Sequence, residues 1–111
     1  MKKEIVEKVL QRAKGYCERC GGVGGTLSLH HRKLKSQGGK DDVSNLIAVH
    51  PDCHNQHKDS IHDNPKKSKV KGWIVPSWAD SNEYPLHLPD GTIVKLDNEG
   101  SYERMAIKWQ E

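Results

Sequence analysis

The segment LHHRKLKSQGGKDDVSNLIAVHPDCH, residues 29–54, decides how this chain of 111 residues folds. An alternating apolar stretch, Leu27–His31, overlaps its start and predicts a short strand, and the apolar run Leu46–Val49 predicts a second one. Between them lies a basic loop that contains glycines. Pro51 suits the first turn of a helix, because its missing N–H costs nothing there. We expect that helix to reach about His62, which gives a compact ββα unit.

The flanking residues predict one helix before this unit and a β-rich extension after it. Lys3–Lys14 has apolar residues at the spacing of one helical face, and Gly15 follows as a stop signal. The segment Asn64–Gly72, NPKKSKVKG, is interpreted as a basic linker. A turn at Pro89–Gly91 precedes a predicted strand, Thr92–Leu96. The predicted organisation is α+β, with a core over 1–64, a linker over 65–72 and an extension over 73–111.

The composition predicts a small core that needs a covalent or metal crosslink. About a third of the residues are apolar and phenylalanine is absent, so little apolar surface is available for burial. The three cysteines cannot all pair within one chain, which favours metal ligation in a reducing compartment. No apolar run has the length of a membrane span, and MKKEIVEKV carries acids where a signal peptide would be apolar. We therefore expect a soluble, cytoplasmic protein.

The charge is distributed unevenly along the chain. Residues 1–75 hold 15 Lys and Arg against 8 Asp and Glu, a net charge of +7, whereas residues 76–111 have a net charge of −4. A basic front half indicates a polyanionic partner, most simply a nucleic acid. An ordinary solvated charged surface is the alternative interpretation.

The cysteines and one histidine have the spacing of a structural zinc site. Cys17 and Cys20 are separated by two residues, and His50 and Cys53 repeat that gap about 30 residues later. Together they form a Cys₃His set, which zinc accepts and whose binding would contribute folding energy. Two alternatives stay open, in which the cysteines are merely buried or His54 replaces His50 as the fourth ligand.

Six of the seven histidines lie between residues 30 and 62, which is a second cluster of chemistry-bearing residues. Adjacent residues on a strand point in opposite directions, so His30 and His31 are expected to have different roles, one binding a metal and one acting as a neutral base. On the helix, His54 can face away from the zinc towards His30, and His57 shares its face. His62 is interpreted as a surface residue, as is His87.

The elements LHHRK, GGKDD, SNL and HPDCH, in this order, resemble the HNH (His-Asn-His) nuclease motif and its ββα-metal fold. The resemblance places His30, His31, Asn45 and His54 at the motif positions. Two features depart from the pattern. The second zinc pair is HxxC rather than CxxC, and Lys58 stands where the family often has a further histidine, which His57 could replace. The segment GWIVPSWAD is similar to that of small phage-encoded HNH proteins.

The resemblance implies an endonuclease that hydrolyses DNA and leaves 5′-phosphate and 3′-hydroxyl ends. His31 would be the general base, and Asn45 would fix the loop around it or touch the metal. A divalent cation would be held by His30 and His54, with His57 as a third candidate ligand. Mg²⁺ or Mn²⁺ is the expected ion, with Ni²⁺ or Zn²⁺ also accepted.

The DNA partner would be bound through phosphate contacts by basic residues in and beside the loop, namely Arg32, Lys33, Lys35 and Lys40. A solvated loop is the alternative for each of these residues. Two other functions stay open. One is a zinc-stapled DNA-binding or adaptor module that is inactive alone, and the other is a subunit that cuts only within a packaging or recombination machine of a phage in its host cell. RNA is not excluded as the substrate.

Overall fold

The computed structural model of the protein describes residues 1–56 and 60–105. Its helices are α1 (Lys3–Ala13) and α2 (Pro65–Lys71), and a short π-helical segment covers Asp52–Gln56. Its strands are β1 (Ser28–His31), β2 (Leu46–Val49), β3 (Leu86–His87), β4 (Ile93–Leu96) and β5 (Tyr102–Arg104). The predicted α+β class is confirmed.

Helix α1 covers one side of the first sheet. Val9 and Ala13, on its apolar face, are buried and pack with residues of β2 and of the turn before it. Arg12 on the same face is also buried and donates to the Glu18 carboxylate from Nε at 2.8 Å and from Nη2 at 2.9 Å. The helix ends at Lys14, whose φ of 55° is left-handed. Its apolar stripe and this ion pair together hold α1 against the core.

Strands β1 and β2 form an antiparallel pair in which His31 lies opposite Leu46 and His30 opposite Ile47. All four residues of β2 are buried, because they face two different layers. Leu46 and Ala48 pack with α1, whereas Ile47 and Val49 belong to the cluster formed with the C-terminal part of the chain. A strand covered on both faces has no polar face, which agrees with the unbroken apolar run in its sequence.

The C-terminal extension forms a second antiparallel sheet, in the order β3-β4-β5, that packs into the same core as the cysteines. The structure differs from the sequence expectation at residues 65–72, where α2 replaces the predicted linker. Pro65 begins this helix, and buried Ser68 donates from Oγ to the carbonyl of Ile61 at 2.8 Å. Gly72 ends it with a φ of 82°, at a place where a Cβ atom would lie 1.9 Å from the carbonyl oxygen of Pro85.

Arg32, the residue directly after β1, is completely buried and binds only backbone carbonyls among the contacts of the described residues. Its guanidinium donates to four carbonyl oxygens at 2.8 to 3.1 Å, those of Ser44, Gly72, Ser81 and Tyr84. Burial lowers the pKa of Arg32 to about 9. The prediction that Arg32 binds DNA phosphates is therefore wrong, because the side chain has no path to solvent and serves to join the extension to β1.

Replacing Arg32 by methionine should destabilise the fold by about 3–5 kcal/mol, because several buried carbonyls would lose their donors together. Urea unfolding followed by tryptophan fluorescence measures this change. The matched control is Lys35→Met, a basic residue 64% exposed in the same loop, for which we expect a change below about 0.5 kcal/mol. A loss below about 1 kcal/mol in Arg32→Met would contradict the role given to this side chain.

Candidate functional site

The four residues with zinc-ligand spacing come together in one cluster. The ligand atoms of Cys17, Cys20, His50 and Cys53 lie within 4.8 Å of one another, so this set could hold a zinc ion. The Cys17 and Cys53 sulfurs are 3.7 Å apart, close to the edge of about 3.8 Å expected for two thiolates on a tetrahedral zinc. The Cys20 sulfur and His50 Nδ1 are 3.6 Å apart.

Backbone groups and the guanidinium of Arg19 make hydrogen bonds with the ligand residues of this cluster. His50 donates from Nε2 to the carbonyl of Gly24 at 2.9 Å, which leaves Nδ1 as the free ligand atom facing Cys20. Burial alone would raise the pKa of the Cys17 thiol, but N–H groups directed at its sulfur outweigh that effect and lower it. Arg19 donates to the Cys53 sulfur at 3.8 Å. The contacts to Cys17 favour its thiolate, the form that binds zinc, whereas burial raises the pKa of the Cys53 thiol to about 12.

A second cluster contains three histidines and lies at the end of β1. The ligand atoms of His30, His54 and His62 lie within 4.8 Å of one another. The facing Nε2 atoms of His54 and His62 are 3.0 Å apart. Two nitrogens bound side by side to an octahedral ion at 2.1 Å would be separated by about 3.0 Å, so the pair matches the spacing that a divalent cation requires. His54 thus lies in this cluster rather than in the cysteine cluster.

His30 is the buried member of this cluster, with 1% of its surface exposed. It donates from Nε2 to the carbonyl of Trp73 at 2.7 Å, which leaves the lone pair on Nδ1. Burial lowers the pKa of His30 to about 3, and burial also lowers the pKa of His54. Neutral imidazole is the metal-binding form, so the surroundings hold both rings in the state that ligation requires.

His62 belongs to this cluster, although sequence reasoning interpreted it as a surface residue. Two backbone hydrogen bonds bring it there, from Ile61 N to the carbonyl of Cys53 at 2.8 Å and from His62 N to the carbonyl of His54 at 3.3 Å. Residues 61 and 62 thus lie against residues 53 and 54, a contact that helical spacing does not reveal. His57, the predicted third ligand, lies outside the described residues.

Asn45 fastens the loop that follows β1, as the sequence predicted. Its side chain is buried and accepts from the N–H of Lys33 at 2.7 Å. It donates to the carbonyls of Lys33 at 3.1 Å and of Lys40 at 3.0 Å, so both ends of the loop are tied to one amide. All three partners of the Asn45 side chain lie on this loop. The amide oxygen accepts one of these bonds and keeps a second lone pair, so the alternative in which it contacts a metal stays a prediction.

His31 lies on the other face of β1 from His30, and about a quarter of its side chain is exposed. Its Nε2 is 2.7 Å from a carboxylate oxygen of Asp41, a residue that the sequence analysis did not select. The hydrogen bond from His31 lowers the pKa of Asp41. Sequence spacing does not predict this contact between His31 and Asp41, because the contact depends on how the loop returns to the strand.

The remaining predicted phosphate-binding residues differ in their availability. Lys33 donates from Nζ to the carbonyl of Ala79 at 2.9 Å, so its charge is used within the fold. Lys35 is exposed and lies 3.4 Å from Asp41, and Lys40 is exposed as well. Lys35 and Lys40 therefore stay candidates for phosphate contacts, while Lys33 is a weaker one.

The fold and these clusters define a small α+β metal-binding protein, with a Cys₃His knuckle beside a three-histidine centre at a strand end. Residues 17–60 match the family model of the HNH endonucleases. The matched segment covers both strands of the first sheet, the whole Cys₃His set and two of the three clustered histidines. Over this segment the chain is similar to the HNH endonucleases. No curated protein and no solved structure matches the chain. Among the described residues, no helix has the length and apolar character needed to span a membrane.

The Cys₃His cluster should bind about one zinc ion per chain, and its loss should lower stability, because metal binding contributes folding energy. Cys53→Ser is expected to contain one zinc fewer than the wild type and to melt at a lower temperature. Elemental analysis and calorimetry measure the two effects. His87→Gln, which changes a histidine outside both clusters, is the control. Unchanged zinc content in Cys53→Ser would show that the cluster is not a zinc site.

Proposed function

We propose that this protein is a metal-dependent endonuclease that hydrolyses phosphodiester bonds in DNA. One observation carries the proposal, namely that His30, His54 and His62 converge at the end of β1, where His31 is the adjacent residue. A protein that only bound DNA would have no need for a three-histidine centre next to a partly exposed imidazole. The HNH match over residues 17–60 favours the same chemistry.

The two clusters have different roles in this proposal. The Cys₃His set is closed, with four protein ligands for a tetrahedral ion, and is therefore structural. The three histidines supply fewer ligands than a divalent cation accepts, which leaves positions for water and for a phosphate oxygen. An ion bound there would act as a Lewis acid and offset the negative charge that develops on the phosphate and the leaving oxygen.

His31 acts as the general base. It accepts a proton from a water molecule, whose oxygen forms the new bond to phosphorus while the bond from phosphorus to the 3′-oxygen breaks. The products are a 5′-phosphate and a 3′-hydroxyl. Asn45 holds the loop on which this geometry depends, through its bonds to the two ends of the loop. Lys35 and Lys40, the exposed basic residues of the loop, contact neighbouring phosphates.

The ligand set bears on the choice of ion. Imidazole nitrogens suit Ni²⁺ and Zn²⁺, whereas Mg²⁺ prefers oxygen ligands. A centre of three neutral histidines is therefore expected to bind Ni²⁺ or Zn²⁺ most tightly and Mn²⁺ or Mg²⁺ more weakly. The weaker pair can still be used where its cellular concentration is high, and the open positions would then hold water.

His31→Ala should lose nicking of supercoiled plasmid by about 10²–10⁴-fold, because a positioned general base contributes that much to the rate. The variant should keep the zinc content of the wild type. Assays are run with Mg²⁺, Mn²⁺ and Ni²⁺ in separate series, and His87→Gln is the control that passes through the same purification. No cleavage by the wild type with any ion would contradict the proposal, and equal nicking by His31→Ala would reveal a contaminant or another base.

His62→Ala should raise the Mn²⁺ or Ni²⁺ concentration needed for half-maximal cleavage by about 10–100-fold, since one of three protein ligands is removed. The variant should approach the wild-type rate at saturating ion, because the base is intact. A titration of cleavage against metal concentration separates these two effects. An unchanged metal requirement would mean that the ring of His62 is not a ligand.

A further inference from the structure

The contact between His31 and Asp41 is not used by the chemistry above. The two side chains meet at 2.7 Å, between Nε2 of the ring and Oδ1 of the carboxylate, and each is between a quarter and a third exposed. Asp41 also lies 3.4 Å from the Nζ of Lys35, which is mostly exposed. Among the described residues, Asp41 is the hydrogen-bond partner of the His31 ring. The bond uses Nε2 and leaves Nδ1 available for another partner.

The loop is built so that Asp41 returns to the end of β1. Gly38 adopts a φ of 92°, which favours glycine. At Gly39 an added Cβ would lie 1.8 Å from the carbonyl oxygen of Lys33, so the two ends of the loop approach too closely for a side chain. Asn45 then ties Lys33 to Lys40, the residue directly before Asp41. The carboxylate is thus positioned by a braced loop, and its contact with His31 follows from that bracing.

We propose that Asp41 is a positioning residue that holds His31 with a proton on Nε2 and a lone pair on Nδ1, so that Nδ1 is the nitrogen that deprotonates water. This inference rests on the proposed nuclease function. The ionised carboxylate accepts the Nε2 hydrogen bond and fixes the plane of the ring, as a carboxylate does for a histidine base in other enzymes.

The proton balance of the step is simple. The Nε2 proton stays between the ring and Asp41, and the proton from water moves to Nδ1. The water oxygen forms the bond to phosphorus, and the 3′-oxygen leaves with its electron pair and takes a proton from a solvent water to become the 3′-hydroxyl. The ring becomes an imidazolium whose charge is next to the carboxylate, which stabilises it at the moment when it forms.

The test combines kinetics with a direct measurement of the ring tautomer. Asp41→Ala removes the acceptor, Asp41→Glu restores a carboxylate on a longer side chain, and Asp42→Ala is the matched control. Asp42 is the next residue and lines a cleft together with Ile5 and Lys8 of α1. Single-turnover cleavage of a labelled duplex gives the rate at saturating protein and the half-saturating concentration. Two-bond ¹H–¹⁵N spectra of the zinc-loaded wild type, assigned with His31→Ala, show which nitrogen of His31 carries the proton.

We expect Asp41→Ala to cleave about 10–100-fold more slowly, which is less than the loss of the base itself, with half-saturation within about twofold of wild type. Asp41→Glu should recover at least part of this rate, and Asp42→Ala should match the wild type. The spectra should show His31 protonated at Nε2. A purely structural effect of Asp41→Ala would instead alter the spectra of all the histidines and would not be reversed by glutamate.

Three results would overturn the inference. They are a proton on Nδ1 of His31 in the wild type, cleavage by Asp41→Ala as fast as or faster than the wild type, and no recovery in Asp41→Glu. A faster Asp41→Ala would mean that the carboxylate obstructs the base. If the wild type cleaves nothing with any ion, the nuclease proposal fails, and the spectra still decide whether Asp41 sets the tautomer of His31.

Discussion

A buried cation, which among the described residues donates its hydrogen bonds to backbone carbonyls, holds this structure together. The guanidinium of Arg32 spreads its charge over carbonyl dipoles from both sides of the molecule, with Ser44 on the core side and Gly72, Ser81 and Tyr84 on the extension. A planar fork with five donors can satisfy several carbonyls at once, which an ammonium group cannot do with the same geometry. Because one side chain binds carbonyls on both sides, the extension is fixed at the end of β1, where the histidines lie.

The consequence for the site passes through Trp73. Trp73 follows directly after Gly72, whose carbonyl accepts a hydrogen bond from Arg32. The carbonyl of Trp73 in turn accepts the hydrogen bond that orients His30. Its indole ring lies under the guanidinium of Arg19 at 4.4 Å, and that same guanidinium reaches the sulfur of Cys53. A Cys₃His zinc centre has a net negative charge, for which Arg19 supplies a nearby counter-charge. One residue thus lies between the structural cluster and the histidine centre.

The sequence could predict whatever depended on local spacing. The two strands of the first sheet and the paired CxxC and HxxC gaps follow from patterns of neighbouring residues, whereas the loop-bracing role of Asn45 was implied by the family resemblance. It could not predict His62 or Asp41, because each reaches its place through a chain reversal fixed by non-local backbone bonds. Arg32 was misread for a related reason, since a basic residue after two histidines looks the same in sequence whether it faces phosphate or carbonyls.

The basic residues and the histidines therefore have different roles from those that the composition indicates. Two of the four basic residues near the loop, Arg32 and Lys33, spend their hydrogen bonds on backbone carbonyls and stabilise the fold. Histidines surround the open centre instead, and burial lowers the pKa of His30 to about 3, which keeps this ring uncharged at neutral pH. Phosphate attraction in this small protein then falls to an ion held by neutral rings and to a few exposed lysines. An ion bound at the proposed site would add to the positive potential of these lysines, so DNA binding would then depend in part on metal loading.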